Sequence, residues 1–176
     1  GAAPGEAPRD NPLSWNARAN VLYVDQPFGT GLSFADDERD LVGSMESMAA
    51  HLRAALLDLV THREPWLSGA PLWLAGESYA GKYVPHLAAA ILAGPREALN
   101  LRGVVMGNPW TDPQRTVGTY AEFALARGLV GGRGYDALRA NNTEFQALVL
   151  AGEWSKATDK EHAMESYVEA AAGVNA

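Results

Sequence analysis

The chain has 176 residues, 47% of them hydrophobic, and a formal net charge of −7 at pH 7. This length can bury one sizeable core but is too short for two ordinary domains, and the negative charge argues against binding to nucleic acid or to an anionic membrane surface. The sequence contains no cysteine, which excludes disulfides, thiolate catalysis and cysteine metal sites. No apolar run approaches the length of a membrane span and no basic start precedes an apolar stretch, so we expect neither a membrane span nor a signal peptide in this chain.

The first half of the chain predicts an alternation of strands and helices. Residues 2–10 are rich in Pro, Gly and Ala and predict irregular backbone, whereas residues 21–24 predict a buried strand. Ser44 can cap a helix whose apolar side chains recur at helical spacing, which indicates core packing. Those side chains are Met45, Met48, Leu52, Leu56 and Leu59.

Two further strands and a second helix follow. Residues 72–75 predict the second strand, residues 79–92 the second helix and residues 101–106 the third strand. Strand, helix, strand, helix, strand with short connections predicts two right-handed crossovers and a parallel sheet. Ligands of such sheets bind beyond the carboxyl ends of the strands. Three polar residues follow predicted strands and are expected at that edge: Asp25, Ser78 and Asn108.

The character of the sequence changes after residue 112. We therefore divide the chain into a core portion, residues 1–112, and a helical region, residues 113–176. The features predicted for the helical region are a helix over residues 120–127 that stops at Gly128, a break at residues 131–134, a capping box of Thr143 and Gln146, and a weaker helix over residues 160–172.

The most informative motif is Gly-Glu-Ser-Tyr-Ala-Gly at residues 76–81, between the second strand and the second helix. This is the context of a nucleophile elbow, in which small residues surround a serine on a sharp, strained turn. Ser78 is then the candidate nucleophile, and the backbone N–H of Tyr79 is one candidate oxyanion donor. A plainer interpretation is a chance turn before a helix, because such short patterns are common.

Four motifs in order resemble one family. The residue 76–81 motif, continued by Tyr83-Val84-Pro85, is similar to the nucleophile motif of the serine carboxypeptidases, a branch of the α/β-hydrolases. Residues 11–16, 19–34 and 107–112 resemble further segments of that family, in the family's order. The resemblance implies a parallel α/β-hydrolase core of βαβαβ type followed by a helical cap-like segment. It also implies a secreted or vacuolar/lysosomal enzyme that acts on peptides without a cofactor or metal.

The implied activity is the release of C-terminal amino acids from peptides through an acyl-enzyme on Ser78. By resemblance, the Tyr79 N–H lies in the oxyanion hole and Glu77 recognises the carboxylate of the substrate. Asn108 and Trp110 are candidates to line the site. Asp25 is expected to have a structural role, with its carboxylate accepting N–H groups of a turn.

The implied catalytic triad is incomplete in this sequence. A serine needs a histidine oriented by a carboxylate, and in α/β-hydrolases both follow the serine along the chain. Only His86 and His162 follow Ser78; the first is expected to point along its helix and the second to be exposed. In the resembled family the acid and the histidine come later, and a Gly-Gly-Pro-Gly loop that supplies the other oxyanion donor comes earlier. We therefore expect this chain to be the central piece of an enzyme and to be inactive by itself. A second chain that carries the Asp and His would restore its activity.

Two alternatives stay open. A related acyltransferase would use the same serine on an ester, although that branch tends to carry Asp at the position of Glu77. A non-catalytic fragment or interaction subunit would keep the fold and lose the triad. Asn141 begins a glycosylation sequon, Asn-Asn-Thr, which is weak support for secretion.

Overall fold

A computed structural model describes residues 7, 10–37, 39, 41–95 and 98–173. It is a mixed α/β structure with a small parallel sheet and several helices. The strands are β1 (Pro71–Glu77) and β2 (Asn100–Gly107). The α-helices are α1 (Met45–Asp58), α2 (Ala80–Leu92), α3 (Pro113–Val117), α4 (Tyr120–Ala126), α5 (Gly132–Leu150) and α6 (Trp154–Ala172).

The part of the fold that carries the site is a βαβ unit, residues 71–107. β1 and β2 run parallel, from Pro71 opposite Asn100 to Glu77 opposite Gly107, with one register shift between Leu72 and Trp73, and α2 lies in the connection between them. One face of the sheet packs on α2, whose buried residues recur every three or four positions, as an amphipathic helix requires. The buried residues of this core are Leu56, Val60, Leu74, Val84, Leu87, Ile91 and Leu99.

Helix α1 begins where the sequence predicts. Ser44 adopts an extended conformation and its side chain accepts a hydrogen bond from the Ser47 N–H at 3.2 Å, while the Ser47 hydroxyl accepts from the Ser44 N–H at 3.3 Å. This reciprocal pair satisfies donors that a helix start leaves free. Met48 and Leu56 are buried, so the predicted packing face is confirmed, and a π turn, Leu59–Arg63, continues the helix.

The strand predicted at residues 21–24 does not form. This segment has no regular secondary structure, and Leu22 and Tyr23 are 57% and 86% exposed. A strand needs a neighbouring ladder to pair its backbone groups, and within the part of the chain that the structure describes β1 and β2 pair only with each other. The prediction of a βαβαβ core with two crossovers is therefore wrong for the described residues, which form one βαβ crossover.

Local hydrogen bonds organise the segment instead. The Asp25 carboxylate accepts the Leu32 N–H at 2.9 Å, and the Asp25 carbonyl accepts the Ser33 hydroxyl at 2.5 Å. Asp25 thus closes a turn, as its predicted structural role requires. Its predicted position beyond the end of a strand is wrong, because residues 21–24 form no strand.

The helical region has a core of its own. α4 ends before Gly128, whose φ of +68° is the left-handed conformation that favours glycine at a helix end. The weaker helix predicted over residues 160–172 forms as part of α6, which begins earlier, at Trp154. The buried residues are Val117, Ala121, Ala124, Val130, Leu138, Phe145, Ala157 and Met164. Within the described ranges, none of the helices combines the length and apolar composition needed to cross a bilayer.

Two predictions within α5 are wrong. The break expected at residues 131–134 does not extend past Gly131, because that extended residue is the N-cap and the helix begins at Gly132. The expected capping box lies in the middle of α5. There the Thr143 hydroxyl donates to the Arg139 carbonyl at 3.1 Å, and the Gln146 side chain donates to the Gln114 carbonyl at 2.8 Å. The packing of α5 against α6 keeps this segment helical despite its glycines and the local capping pattern.

Candidate active site

Ser78 lies on the turn between β1 and α2. Its φ of +54° is in the left-handed region, which costs conformational energy in a residue with a β-carbon. Three backbone hydrogen bonds hold the turn: the Ser78 N–H donates to the Gly107 carbonyl at 3.1 Å, and the Ser78 carbonyl accepts from Gly81 N–H at 3.0 Å and from Trp110 N–H at 2.8 Å. Ser78 is exposed. The structure therefore has the strained, solvent-facing geometry that the elbow motif predicts.

The motif needs glycine at positions 76 and 81 because neighbouring atoms leave no room for a β-carbon there. A β-carbon on Gly76 would collide with the Ala80 side chain in the first turn of α2. A β-carbon on Gly81 would lie 2.7 Å from the Trp110 nitrogen and 2.9 Å from the Pro109 carbonyl carbon. Larger residues would push α2 away from both the strand and the loop after β2, so the small residues set the sharpness of the turn.

Aromatic rings cover one side of the turn. The Tyr79 ring stacks on the Trp110 ring with centroids 5.5 Å apart and an angle of 21°. Tyr83 meets Tyr79 edge-on, and the Lys82 ammonium lies 5.4 Å from the centre of the Trp110 ring. No acceptor among the residues that the structure describes bonds the Tyr79 backbone N–H. This N–H is a free donor beside Ser78.

Glu77 and Asn108 lie at the same edge of the sheet. Glu77 is the last residue of β1, opposite Gly107 of β2, and it is exposed. Asn108 follows β2 directly, has a φ of +39° and is also exposed. The structure brings these two residues together with Ser78, Tyr79 and Trp110 at the carboxyl edge.

One buried carboxylate supports this group and was not predicted from the sequence. Glu161 of α6 is 5% exposed and is the only buried charged residue in the described ranges. Its Oε1 accepts the Trp110 indole N–H at 2.9 Å and lies 3.2 Å from the Tyr120 hydroxyl, which is also 3.1 Å from Glu165 Oε1. Burial and the charges of the two glutamates raise the pKa of Tyr120 well above its usual range.

A signal for Glu161 does exist in the sequence. It lies four residues after Ala157 and three before Met164, and both of these face the core of the helical region. A charged residue on the buried face of a helix indicates a partner elsewhere in the fold. That partner, Trp110, is 51 residues away, so the sequence spacing does not name it.

Comparison with known proteins assigns the family. The sequence model described as serine carboxypeptidase matches residues 2–175. The chain belongs to the serine carboxypeptidase family. Serine carboxypeptidase-like 50 of Arabidopsis thaliana is 37% identical over 150 residues, which cover 85% of this chain and 34% of that relative. The pheromone-processing carboxypeptidase kex1 of Aspergillus oryzae is 40% identical over 123 residues, which cover 68% of this chain and 19% of that relative.

A solved structure has a similar fold. Kex1Δp, a prohormone-processing carboxypeptidase from Saccharomyces cerevisiae, aligns with a TM-score of 0.69 and 24% sequence identity, over 88% of this chain and 37% of the other. The chain thus spans about a third, or less, of the length of these relatives. The resemblance of the ordered motifs to the serine carboxypeptidases is confirmed.

The histidines of this serine carboxypeptidase chain have other contacts. His86 Nδ1 is 2.7 Å from the Lys82 carbonyl on α2, His62 pairs with Asp58 at 2.9 Å, and the His51 ring packs on Phe28. His162 is exposed on α6. None of the hydrogen bonds among the described residues joins a histidine to Ser78, and no cluster there of three or more His, Asp or Glu side chains is placed to hold a metal ion.

Asn141 lies inside α5 and is half-buried. Its Nδ2 donates to the Ala137 carbonyl at 2.8 Å, and its Oδ1 accepts from Lys160 Nζ at 3.2 Å. A glycan needs an accessible amide on the surface, whereas this amide nitrogen is half-buried within a helix and is engaged with the Ala137 carbonyl. Glycosylation at Asn141 stays a prediction, which this geometry disfavours.

Proposed function

We propose that this chain is the nucleophile-bearing part of a serine-type carboxypeptidase with an α/β-hydrolase core, which releases C-terminal amino acids from peptides. The observation that carries the proposal is the exposed Ser78 at φ +54° between β1 and α2, beside an unbonded Tyr79 N–H. Family membership supports the class of reaction.

In the proposed reaction, Ser78 Oγ attacks the carbonyl carbon of the last peptide bond. The Tyr79 N–H donates to the oxygen that becomes negatively charged, and collapse of the tetrahedral intermediate expels the C-terminal amino acid and leaves an acyl group on Ser78. Water then hydrolyses this ester. A base must take the hydroxyl proton of Ser78 and give it to the leaving nitrogen, and no histidine contact in the described structure supplies that base. We propose that the Asp and His of the triad come from outside these 176 residues, on the remainder of a longer chain or on a second chain.

Glu77 is the proposed recognition residue for the terminal carboxylate of the substrate. It precedes Ser78 and is exposed at the sheet edge. Two carboxyl groups can hydrogen-bond only while one of them carries a proton, so this contact favours acidic conditions. Asn108 and Trp110 are proposed to line the same site, and residues 113–176 to form a cap-like region beside it. An acidic secreted or vacuolar/lysosomal compartment suits such an enzyme.

Labelling and hydrolysis test the nucleophile. In the protein that includes the triad partners, a serine-directed phosphonate should label Ser78 stoichiometrically, and Ser78→Ala should lower kcat on a blocked dipeptide by about 10⁴-fold or more. The 176-residue chain alone should label only slowly. Failure of the complete protein to label would favour a non-catalytic role, and labelling with turnover of esters but not peptides would favour an acyltransferase.

The substrate class is tested through Glu77. Glu77→Gln should lower kcat/KM for free-carboxylate peptides by about tenfold and flatten the dependence on acidic pH. Peptide amides lack the carboxylate and should change much less. Equal losses on both substrate classes would show that Glu77 supports the turn and does not bind the carboxylate.

A further inference from the structure

Trp110 connects Glu161 of α6 to one peptide group of the elbow, the one between Ser78 and Tyr79. Three contacts of Trp110 form this link: its backbone N–H donates to the Ser78 carbonyl at 2.8 Å, its ring stacks on Tyr79, and its indole N–H donates to Glu161 at 2.9 Å. The Ser78 carbonyl and the Tyr79 N–H belong to the same peptide group. Glu161 is therefore connected through one side chain to the group that carries the proposed oxyanion donor.

Because the peptide bond is planar, the orientation of the Ser78 carbonyl also determines the orientation of the Tyr79 N–H. In a trans peptide the N–H points opposite to the C=O, and the group rotates as one plane. Hydrogen bonds from Trp110 and Gly81 to the Ser78 carbonyl fix that plane from the protein side. They aim the Tyr79 N–H the other way, and hydrogen bonds accepted at the carbonyl also polarise the N–H.

Trp110 can hold this plane only if its own position is fixed. It is half-buried, and it follows Pro109 in the loop after β2. Glu161 is buried, approaches from α6 of the helical region and accepts the Trp110 indole N–H at 2.9 Å. Loss of this acceptor leaves the indole N–H of half-buried Trp110 without its partner, which favours rotation or displacement of Trp110.

We infer that Glu161 is a positioning residue for the elbow: through Trp110 it holds the Ser78–Tyr79 peptide so that the Tyr79 N–H faces the site. The kinetic consequence rests on the proposed function of Ser78. The structural consequence, a more mobile Trp110 when the acceptor is lost, does not.

Four variants separate this role from general packing, and amide exchange of the Trp110 backbone N–H provides a readout that needs no activity. Glu161→Ala removes the acceptor, and Trp110→Phe removes the donor and keeps the ring stack. Glu161→Gln keeps an acceptor oxygen. Glu165→Ala is the matched control, because Glu165 lies on α6 like Glu161 but contacts Tyr120 of α4 and not Trp110.

The exchange experiment has a defined pattern. In the complete protein, exchange of the residue 110 amide should become about tenfold faster in Glu161→Ala and Trp110→Phe, and stay within about twofold in Glu161→Gln and Glu165→Ala. Unchanged exchange in Glu161→Ala and Trp110→Phe would overturn the inference. Equal acceleration by Glu165→Ala would also overturn it, since the effect would then be a general loosening of α6. Trp110→Phe and Glu161→Gln decide the matter if Glu161→Ala fails to fold.

Kinetics test the consequence for the oxyanion donor. Glu161→Ala should lower kcat about tenfold with KM within about twofold, and combining it with Trp110→Phe should lower kcat no further than Trp110→Phe alone. Additive losses, or a change confined to KM, would overturn the positioning role. If the unmodified protein neither labels nor turns over, the proposed function fails, and the exchange pattern alone decides whether Glu161 holds Trp110.

Discussion

The βαβ unit and the helical region differ in how completely they close their own cores. In the helical region Leu138 is 1% exposed at the centre of four helices. In the βαβ unit one face of the sheet packs on α2, but the other face leaves Trp73 60% exposed. Helices satisfy their backbone hydrogen bonds internally and need only side-chain packing, whereas two strands alone form a marginal sheet. The elbow therefore lies in the less self-sufficient region and takes support from the other through Glu161.

Core truncations should show this difference most strongly. In urea unfolding of the 176-residue chain, Leu138→Ala should lower the free energy of unfolding by about 3 kcal/mol, because it opens a cavity in a closed core. Trp73→Ala removes a larger side chain but should cost less than about 1 kcal/mol, because that side chain is mostly in water. A larger loss for Trp73→Ala would mean that another surface covers this sheet face in solution.

Glycine substitutions sharpen the comparison at the backbone. Gly81→Ala should lower the free energy of unfolding by about 2 kcal/mol, because its new β-carbon would lie within 3 Å of the backbone of the loop after β2. Gly132→Ala is the matched control at the start of α5, where a β-carbon meets nothing within 4 Å. It should stabilise the chain by about 0.5 kcal/mol through helix propensity. Equal effects in thermal unfolding would show that the elbow can relax without cost.

The smallest effect concerns a hydroxyl of the helical region that lies beside Glu161, the residue that also contacts Trp110. Tyr120→Phe removes the hydroxyl beside Glu161 and Glu165 and should cost about 1 kcal/mol at pH 7. The folded protein raises the pKa of Tyr120 above the ordinary value near 10. The hydroxyl therefore contributes fully below about pH 10, and the contribution is lost as the pH rises towards the folded-state pKa.

The measurement is the stability difference between unmodified chain and variant from pH 7 to 11. That difference should be constant up to about pH 10 and then shrink. Tyr135→Phe is the control, because the Tyr135 hydroxyl makes a 3.3 Å contact with Glu122 at an exposed position, and its effect should be smaller. A difference that grows above pH 10 would contradict the assigned cause of the pKa shift.

Several elements could be predicted because their causes are local. The cap at Ser44, the helical spacing that buries Met48 and Leu56, and the stop at Gly128 depend on contacts within one or two turns of chain. Residues 21–24 have the apolar composition of a strand, but a strand is completed by its neighbour, and none of the described residues pairs with them. The stop signals within α5 were outweighed by packing against α6.

The same distinction applies to the site. The sequence by itself determined the strained turn at Ser78, because Gly76 meets Ala80 only four residues further along the chain, whereas Gly81 is required by Pro109 and Trp110 in the loop after β2. Only the tertiary structure decided what surrounds it. The loop after β2 supplies the Trp110 N–H to the Ser78 carbonyl, and α6 supplies Glu161 from 51 residues further along the chain. Such contacts depend on how two separately packed cores meet, and the spacing of residues along the sequence does not predict which of them come into contact.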